Sequence, residues 1–301
     1  MTRSLWVQSD DVGIAVRTRG DAERPTVVLV HGFPDCSRVW EPVAAKLVDR
    51  YHVVTYDVRG AGESDAPART ADYKLEKLAG DLRAVVDATC PERRFHLVAH
   101  DWGSIQSWEP VTAADMQARI ASYTSISGPC LDHAGYWMRR RMLRPTPRNL
   151  MQLVGQLLKS WYIYMFHFPW VAPLLWRHVL GKRWHLMLRQ LEGVETEPSP
   201  TRLKDGYHAI KLYRANIFPR TLFPRKRYAT MPVQVIVPLK DRYVHPGFTE
   251  ELQQWAPNLL RRDIDAHHWV LLSQPDVIAR LVSEFVDSVE NQPADMQQRA
   301  S

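Results

Sequence analysis

An apolar run, Phe95-His96-Leu97-Val98-Ala99, leads directly into His100-Asp101-Trp102-Gly103. No other stretch restricts the fold of this chain as much. A buried strand that ends in a small-x-acid-x-small turn and passes straight into a helix holds one side chain exposed at the strand's tip. Here that side chain is the carboxylate of Asp101. Its reference pKa lies near ~4, so it is ionised at neutral pH and attacks carbon without prior deprotonation.

The surrounding elements alternate in the way such a tip requires. Leu5 to Gln8 and Val12 to Thr18, separated by Asp10-Asp11, read as an antiparallel hairpin at a sheet edge. Thr26 to Val30 is a continuous apolar run suited to a buried parallel strand and ends at His31-Gly32-Phe33-Pro34. Val39 to Val48 reads as helix, Tyr51 to Tyr56 as strand and Leu75 to Thr89 as helix. Ile120 to Ile126, Val233 to Val237 and Leu260 to Ile264 continue the strands, with helices expected over Pro246–Trp255 and Pro275–Glu290. Alternation of this kind predicts an α/β fold: a mostly parallel sheet with helices on both faces, binding ligands beyond the carboxyl ends of its strands.

The long stretch between Ile126 and Val233 is rich in Leu, Met, Trp and Arg at helical spacings and reads as an inserted helical cap. Residues 1–132 and 228–290 are therefore expected as the core, 133–227 as the cap and 291–301 as a frayed polar tail. The net charge of +6 conceals an asymmetry: residues 133–227 carry 18 Lys plus Arg against 4 Asp plus Glu, while the rest has 21 against 29. Cys36, Cys90 and Cys130 are odd in number and widely spaced, which argues against a disulfide framework or a zinc knuckle and for a reducing, cytoplasmic setting. The first residues, Met1-Thr2-Arg3-Ser4-Leu5-Trp6, show no secretory signal pattern.

Three ionisable residues follow in a meaningful order. After Asp101 come Asp241, reached from Val233–Val237 through Pro238-Leu239-Lys240, and His268, reached from Leu260–Ile264 through Asp265-Ala266-His267. Nucleophile, acid and histidine in that sequence make a catalytic triad. Asp101 attacks a substrate carbon and forms an alkyl ester, and His268 activates the water that cleaves it. Asp241 orients the imidazole. Backbone N–H groups of Phe33 and Trp102 are the expected oxyanion hole. A carboxylate nucleophile of this kind suits the opening of an epoxide or the displacement of a halide.

His31-Gly32-Phe33-Pro34-Asp35, Asp57-Val58-Arg59-Gly60-Ala61-Gly62-Glu63-Ser64 and His100-Asp101-Trp102-Gly103 together resemble the epoxide hydrolases of the α/β-hydrolase fold, across nearly the whole chain. The resemblance implies a hydrolase with a cap and with neither metal nor cofactor. It also implies two cap tyrosines that hold and protonate the epoxide oxygen. The segments Trp161-Tyr162-Ile163-Tyr164-Met165-Phe166-His167-Phe168-Pro169 and Leu212-Tyr213-Arg214-Ala215-Asn216-Ile217 assign them as Tyr162 and Tyr213, with Tyr164 in reserve. The family's Gly-His-Trp pattern selects His268, before Trp269, over His267. Two departures stand out: Pro238 replaces a glycine in the turn before the acid, and His267 replaces the glycine before the histidine. Some relatives carry a dehydrogenase domain after the hydrolase, but these 301 residues contain no glycine-rich nucleotide-binding turn.

Trp102 admits a competing role as an indole donor to a leaving halide, since haloalkane dehalogenases share the Asp-Trp-Gly elbow. Many of them have asparagine where this chain has Phe33. A third reading is a non-catalytic lipid-binding module. Trp137, Met138, Leu157, Tyr164, Trp170, Leu175 and Trp269 are expected to line a hydrophobic pocket for an apolar epoxide, lipid-derived ones included. Arg139-Arg140-Arg141 and Arg225-Lys226-Arg227 make a basic cap face, read either as solvated charge or as a surface for anionic lipid or carboxylate-bearing substrates. No recognition motif accompanies the charge, so nucleic acid is not an expected partner. The oligomeric state is not legible.

Overall fold

A computed structural model describes residues 2–291, so the expected tail beyond Asn291 lies outside the described residues. The strands are β1 (Arg3–Ser9), β2 (Val12–Arg19), β3 (Thr26–Val30), β4 (His52–Tyr56), β5 (Phe95–His100), β6 (Ile120–Ile126), β7 (Val233–Pro238) and β8 (Leu259–Ile264). They form one sheet in the order β1-β2-β4-β3-β5-β6-β7-β8. β1 and β2 pair antiparallel at the edge, with Ser9 opposite Val12, and from β4 to β8 every pairing is parallel. All residues of β3, β5, β6 and β7 are buried, as strands covered on both faces must be.

The sheet is flanked by α1 (Glu41–Leu47), α2 (Leu75–Thr89), α3 (Trp102–Val111) and α4 (Ala114–Gln117). Between β6 and β7 the chain forms α5 (Leu131–Leu143), α6 (Pro147–Lys159), α7 (Trp161–His167), α8 (Val171–Leu175), α9 (Trp184–Glu192) and α10 (Arg202–Leu222). α11 (Val270–Ser273) and α12 (Pro275–Glu290) follow β8. The helix expected over Pro246–Trp255 is not formed. Two short 3-10 turns, Pro246–Thr249 and Leu252–Gln254, take its place. Gly247 disfavours a helix start, its N–H is taken by His245 Nδ1, and Glu250 and Glu251 are drawn sideways to Arg141.

The strand order reverses between β3 and β5, and at that switch point the loop after β3 and the turn after β5 lie side by side. The inserted helices are held onto this end by charge. Arg225 pairs with Glu109 at 2.7 Å and Asp132 at 2.8 Å, Arg227 with Glu109 at 3.0 Å, and Arg202 with Asp35 at 2.5 Å. Arg220 pairs with Glu76. Much of the basic excess of the insertion therefore faces the acidic excess of the core. Two of the three cations in Arg225-Lys226-Arg227 belong to this junction and not to a free surface.

Candidate active site

Asp101 adopts φ 53°, ψ −124°, outside the helix it precedes. For a residue with a Cβ this left-handed region costs about 1–2 kcal/mol, and it persists because the turn between β5 and α3 is gripped on every side. A Cβ added at Gly103 would stand 2.3 Å from the Val30 carbonyl oxygen, and one at Gly32 would stand 2.3 Å from Asp101 Oδ1. The small residues are thus the condition for packing the elbow against the β3 loop.

The Phe33 N–H donates to Asp101 Oδ1 at 2.6 Å. The Trp102 N–H is the first of α3 and has no acceptor among the described residues, so it is available beside the same carboxylate. His268 Nε2 lies 3.5 Å from Asp101 Oδ2, and its Nδ1 lies 2.9 Å from Asp241 Oδ2. Asp241 Oδ1 accepts the backbone N–H groups of Tyr243 at 2.7 Å and Val244 at 3.0 Å. Pro238 is compatible with this turn because it ends β7 and needs only its carbonyl, which accepts the Asp241 N–H at 3.2 Å. His267 instead points its Nδ1 toward the Lys240 carbonyl at 3.3 Å, away from the acid.

Burial pulls the His268 pKa down, but the Asp241 charge, the hydrogen bonds His268 donates to both carboxylates and the Asp101 charge outweigh it and hold it at about 10. Burial likewise pushes Asp241 up, and His268 together with the Val244 and Tyr243 N–H groups brings it below the ordinary carboxylate value. The resting site is therefore an imidazolium between two carboxylates. His100, driven down to about 4 by burial and the His268 charge, is neutral and donates Nε2–H to the His268 carbonyl at 2.9 Å. It fixes the loop and adds no charge.

Tyr162 on α7 and Tyr213 on α10 meet edge to face, with ring centroids 5.9 Å apart, and both border the same cavity as Asp101. Burial is the first cause that raises both phenols far above their ordinary pKa, and the Asp101 charge adds to it. Both hydroxyls therefore remain protonated and able to donate. Arg214 sets the pair: its Nε donates to the Phe166 carbonyl at 2.6 Å and its Nη2 to the Phe168 carbonyl at 2.9 Å, tying α10 to α7.

The cavity has a volume of about 750 Å³. Its apolar wall comes from Phe33, Phe166, Trp176, Trp184, Met187 and Leu191, and Tyr243 closes the side next to His268. Of the expected lining residues, Trp269 does border it. Trp137, Met138, Leu157, Tyr164, Trp170 and Leu175 do not. Trp137 is buried elsewhere, its ring tilted against Phe248 with centroids 4.5 Å apart and its indole N–H donated to the Gly247 carbonyl at 2.7 Å. Tyr164 faces outward, because the face of α7 that carries Tyr162 and Phe166 is the one turned to the core, and Trp170, just before α8, is exposed. The Trp102 indole is buried, packs edge-on against Tyr213 with centroids 4.7 Å apart, and does not border the cavity.

Several site residues escaped the sequence reading. Trp176, Trp184 and Tyr243 carry no motif. Glu192, at the end of α9, accepts the Trp269 N–H at 3.0 Å, while its other oxygen is buried without a partner. Asp35 Oδ2 accepts the Trp269 indole at 2.8 Å. The residue after His268 is thus clamped from the insertion and from the β3 loop at once.

This arrangement, a doubly wound sheet with an acid elbow and a His-Asp pair at its switch point, is that of an α/β hydrolase. Residues 27–281 match the alpha/beta hydrolase family, and the chain belongs to it. Among curated relatives, the probable oxidoreductase EphD of Mycobacterium tuberculosis is 38% identical over 285 residues, taking in 92% of this chain and 48% of that protein. The chain thus spans about half the length of that relative. Human epoxide hydrolase 4 is 27% identical over 302 residues, covering 93% of this chain and 78% of that one. A crystal structure of the Bacillus megaterium epoxide hydrolase with an inhibitor shares the fold, with a TM-score of 0.77 at 20% identity over 94% of this chain and all of that one.

Proposed function

We propose that this chain hydrolyses epoxides to vicinal diols through a covalent ester on Asp101. The observation that carries the reading is the convergence, on one apolar cavity, of an acid at the elbow of the sheet and two phenols held protonated on the inserted helices. An epoxide needs a nucleophile on carbon and a proton on oxygen, and these groups supply the one from the sheet and the other from the inserted helices.

The steps balance within the site. A carboxylate oxygen of Asp101 attacks a ring carbon, the C–O bond breaks, and the alkoxide takes a proton from Tyr162 or Tyr213. Asp101 is then a neutral ester. His268 loses the hydrogen bond and the charge on one of its two flanks, so its pKa falls and its proton passes to the tyrosinate. The neutral imidazole next takes a proton from water, and the hydroxide adds to the Asp101 carbonyl carbon. Phe33 and Trp102 N–H groups stabilise the oxyanion. Collapse expels the second oxygen as an alkoxide, which takes the remaining water proton from the new Asp101 carboxyl group, so the diol leaves and the carboxylate stands again beside the imidazolium.

Haloalkane dehalogenation fits less well, since the Trp102 indole faces Tyr213 and not the cavity. The two chemistries separate in one experiment. His268→Gln protein incubated with an aryl or alkyl epoxide is expected to gain the full mass of the epoxide on Asp101, because attack precedes the step that needs the imidazole. Adducts formed from haloalkanes but from no epoxide would overturn the assignment. Adducts with neither, alongside an inert wild type, would favour a binding role.

A further inference from the structure

Among the described residues, nineteen of the twenty-two large apolar side chains left exposed lie between Met142 and Phe223. α6 shows how far this goes. Its buried positions include Gln152 and Gln156, each 8% exposed, while Met151 is 71% and Leu158 70% exposed, with Val154 between them at 52%. The glutamines are held inward by hydrogen bonds, Gln152 to Arg141 and Glu250, Gln156 to Ser160 and the Tyr243 carbonyl. α6 is therefore inverted: polar groups face the protein, and an i, i+3, i+7 aliphatic stripe faces out. The pattern continues into the next turns, where Trp170 is 80% and Leu174 58% exposed. An apolar face of this extent marks a contact surface.

We propose that α6, α7 and α8 dock on the surface of an anionic lipid bilayer. Charge complementarity selects that occupant. After the ion pairs with the core are taken out, Arg144, Arg177, Lys182, Arg183 and Lys226 form no side-chain hydrogen bond or ion pair among the described residues, and Arg144, Arg177, Lys182 and Arg183 flank this face in sequence. Apolar side chains beside free cations are what an anionic interface holds. Among the described residues no helix is long and apolar enough to cross a membrane, so the contact lies in the interface plane. Leu158 and Trp161 are exposed on this face and also border the cavity, so the docked face includes the cavity mouth, and an apolar ligand enters from the lipid. The docking itself does not depend on the reaction assigned above.

Flotation of the full chain with phosphatidylglycerol-containing vesicles tests this. Wild type is expected to partition to these vesicles on the order of tenfold more than to phosphatidylcholine alone at low salt, with the preference reduced at high salt. A Met151→Gln, Val154→Gln, Trp170→Ser, Leu174→Gln variant, altered only at exposed positions outside the cavity, is expected to lose most of that partitioning while keeping its thermal transition. Equal binding to neutral vesicles, or none to either, overturns the proposal. So does a lipid-free dimer of wild type that the same variant abolishes, which would make a second copy the occupant.

Discussion

His268 holds its two ring nitrogens between two carboxylates, with Nδ1 2.9 Å from Asp241 and Nε2 3.5 Å from Asp101. This places the histidine's basicity under the control of the residue proposed to carry the ester. When Asp101 is ionised, the imidazole is charged. When Asp101 is esterified, one source of that charge is gone.

Asp101→Asn mimics the neutral ester at this position. The variant is expected to drop the His268 pKa from about 10 toward its ordinary range, read by nuclear magnetic resonance titration of the ring. A titration unchanged by the substitution would mean that Asp241 alone holds the charge and that esterification does not release the base.

Tyr162→Phe and Tyr213→Phe each remove one proton donor from the oxygen side. Each single change is expected to slow epoxide opening by about 10²-fold, and the double change to leave almost none. Rapid-mixing measurement of adduct formation in the His268→Gln background isolates this step. Normal adduct formation in the double variant would remove the tyrosines from the mechanism.

Arg214 acts through those tyrosines by bracing α10 against two carbonyls at the end of α7, those of Phe166 and Phe168. Arg214→Ala is expected to lower kcat by about tenfold with a smaller change in KM. Arg214→Lys, which reaches one carbonyl, is expected to recover part of it. Equal loss in both variants, matched by a fall in Tm, would reduce Arg214 to a stabilising contact.

Burial drives His100 and His133 down to about 4, with the His268 charge adding to the effect at His100. In the unfolded chain both titrate near ~6.5, so between these values the unfolded state holds more protons and stability falls as pH drops. His268 has the opposite sign. Its raised pKa contributes stability that is complete below ~6.5 and is lost as pH rises through about 10. Denaturation across pH is expected to show a maximum near neutrality. His133→Gln, which takes up no proton, should lose less on acidification than wild type, by up to about 3 kcal/mol. Parallel acid limbs would exclude this histidine as a cause.

Much was legible in the chain because it is local. The period-two and continuous apolar runs mark the strands, and the glycines around Asp101 mark the places where backbone must pass close to backbone. The order Asp101, Asp241, His268 survives folding, since each follows a strand of a parallel sheet and so emerges at the same edge. Tyr162 and Tyr213 are legible only through family resemblance, as a tyrosine on an inserted helix has no local mark of function. The Pro246–Trp255 segment misled for the opposite reason: its composition allows a helix, but Arg141 competes for its glutamates.

The sheet, the acid at its elbow and the inserted helices follow from spacing and conformational preference along the chain. Tertiary structure decided which faces of those helices look inward. Tyr164 and Trp170 resemble Tyr162 and Trp184 in type, and only the packing of α7 to α9 on the sheet puts one pair outside and the other at the cavity. It also decided the fate of charge, sending Arg225 and Arg227 into pairs with core carboxylates while Arg177 and Lys182 remain without partners among the described residues. A side chain's neighbours across the fold depend on where two elements cross, and no local pattern encodes that crossing.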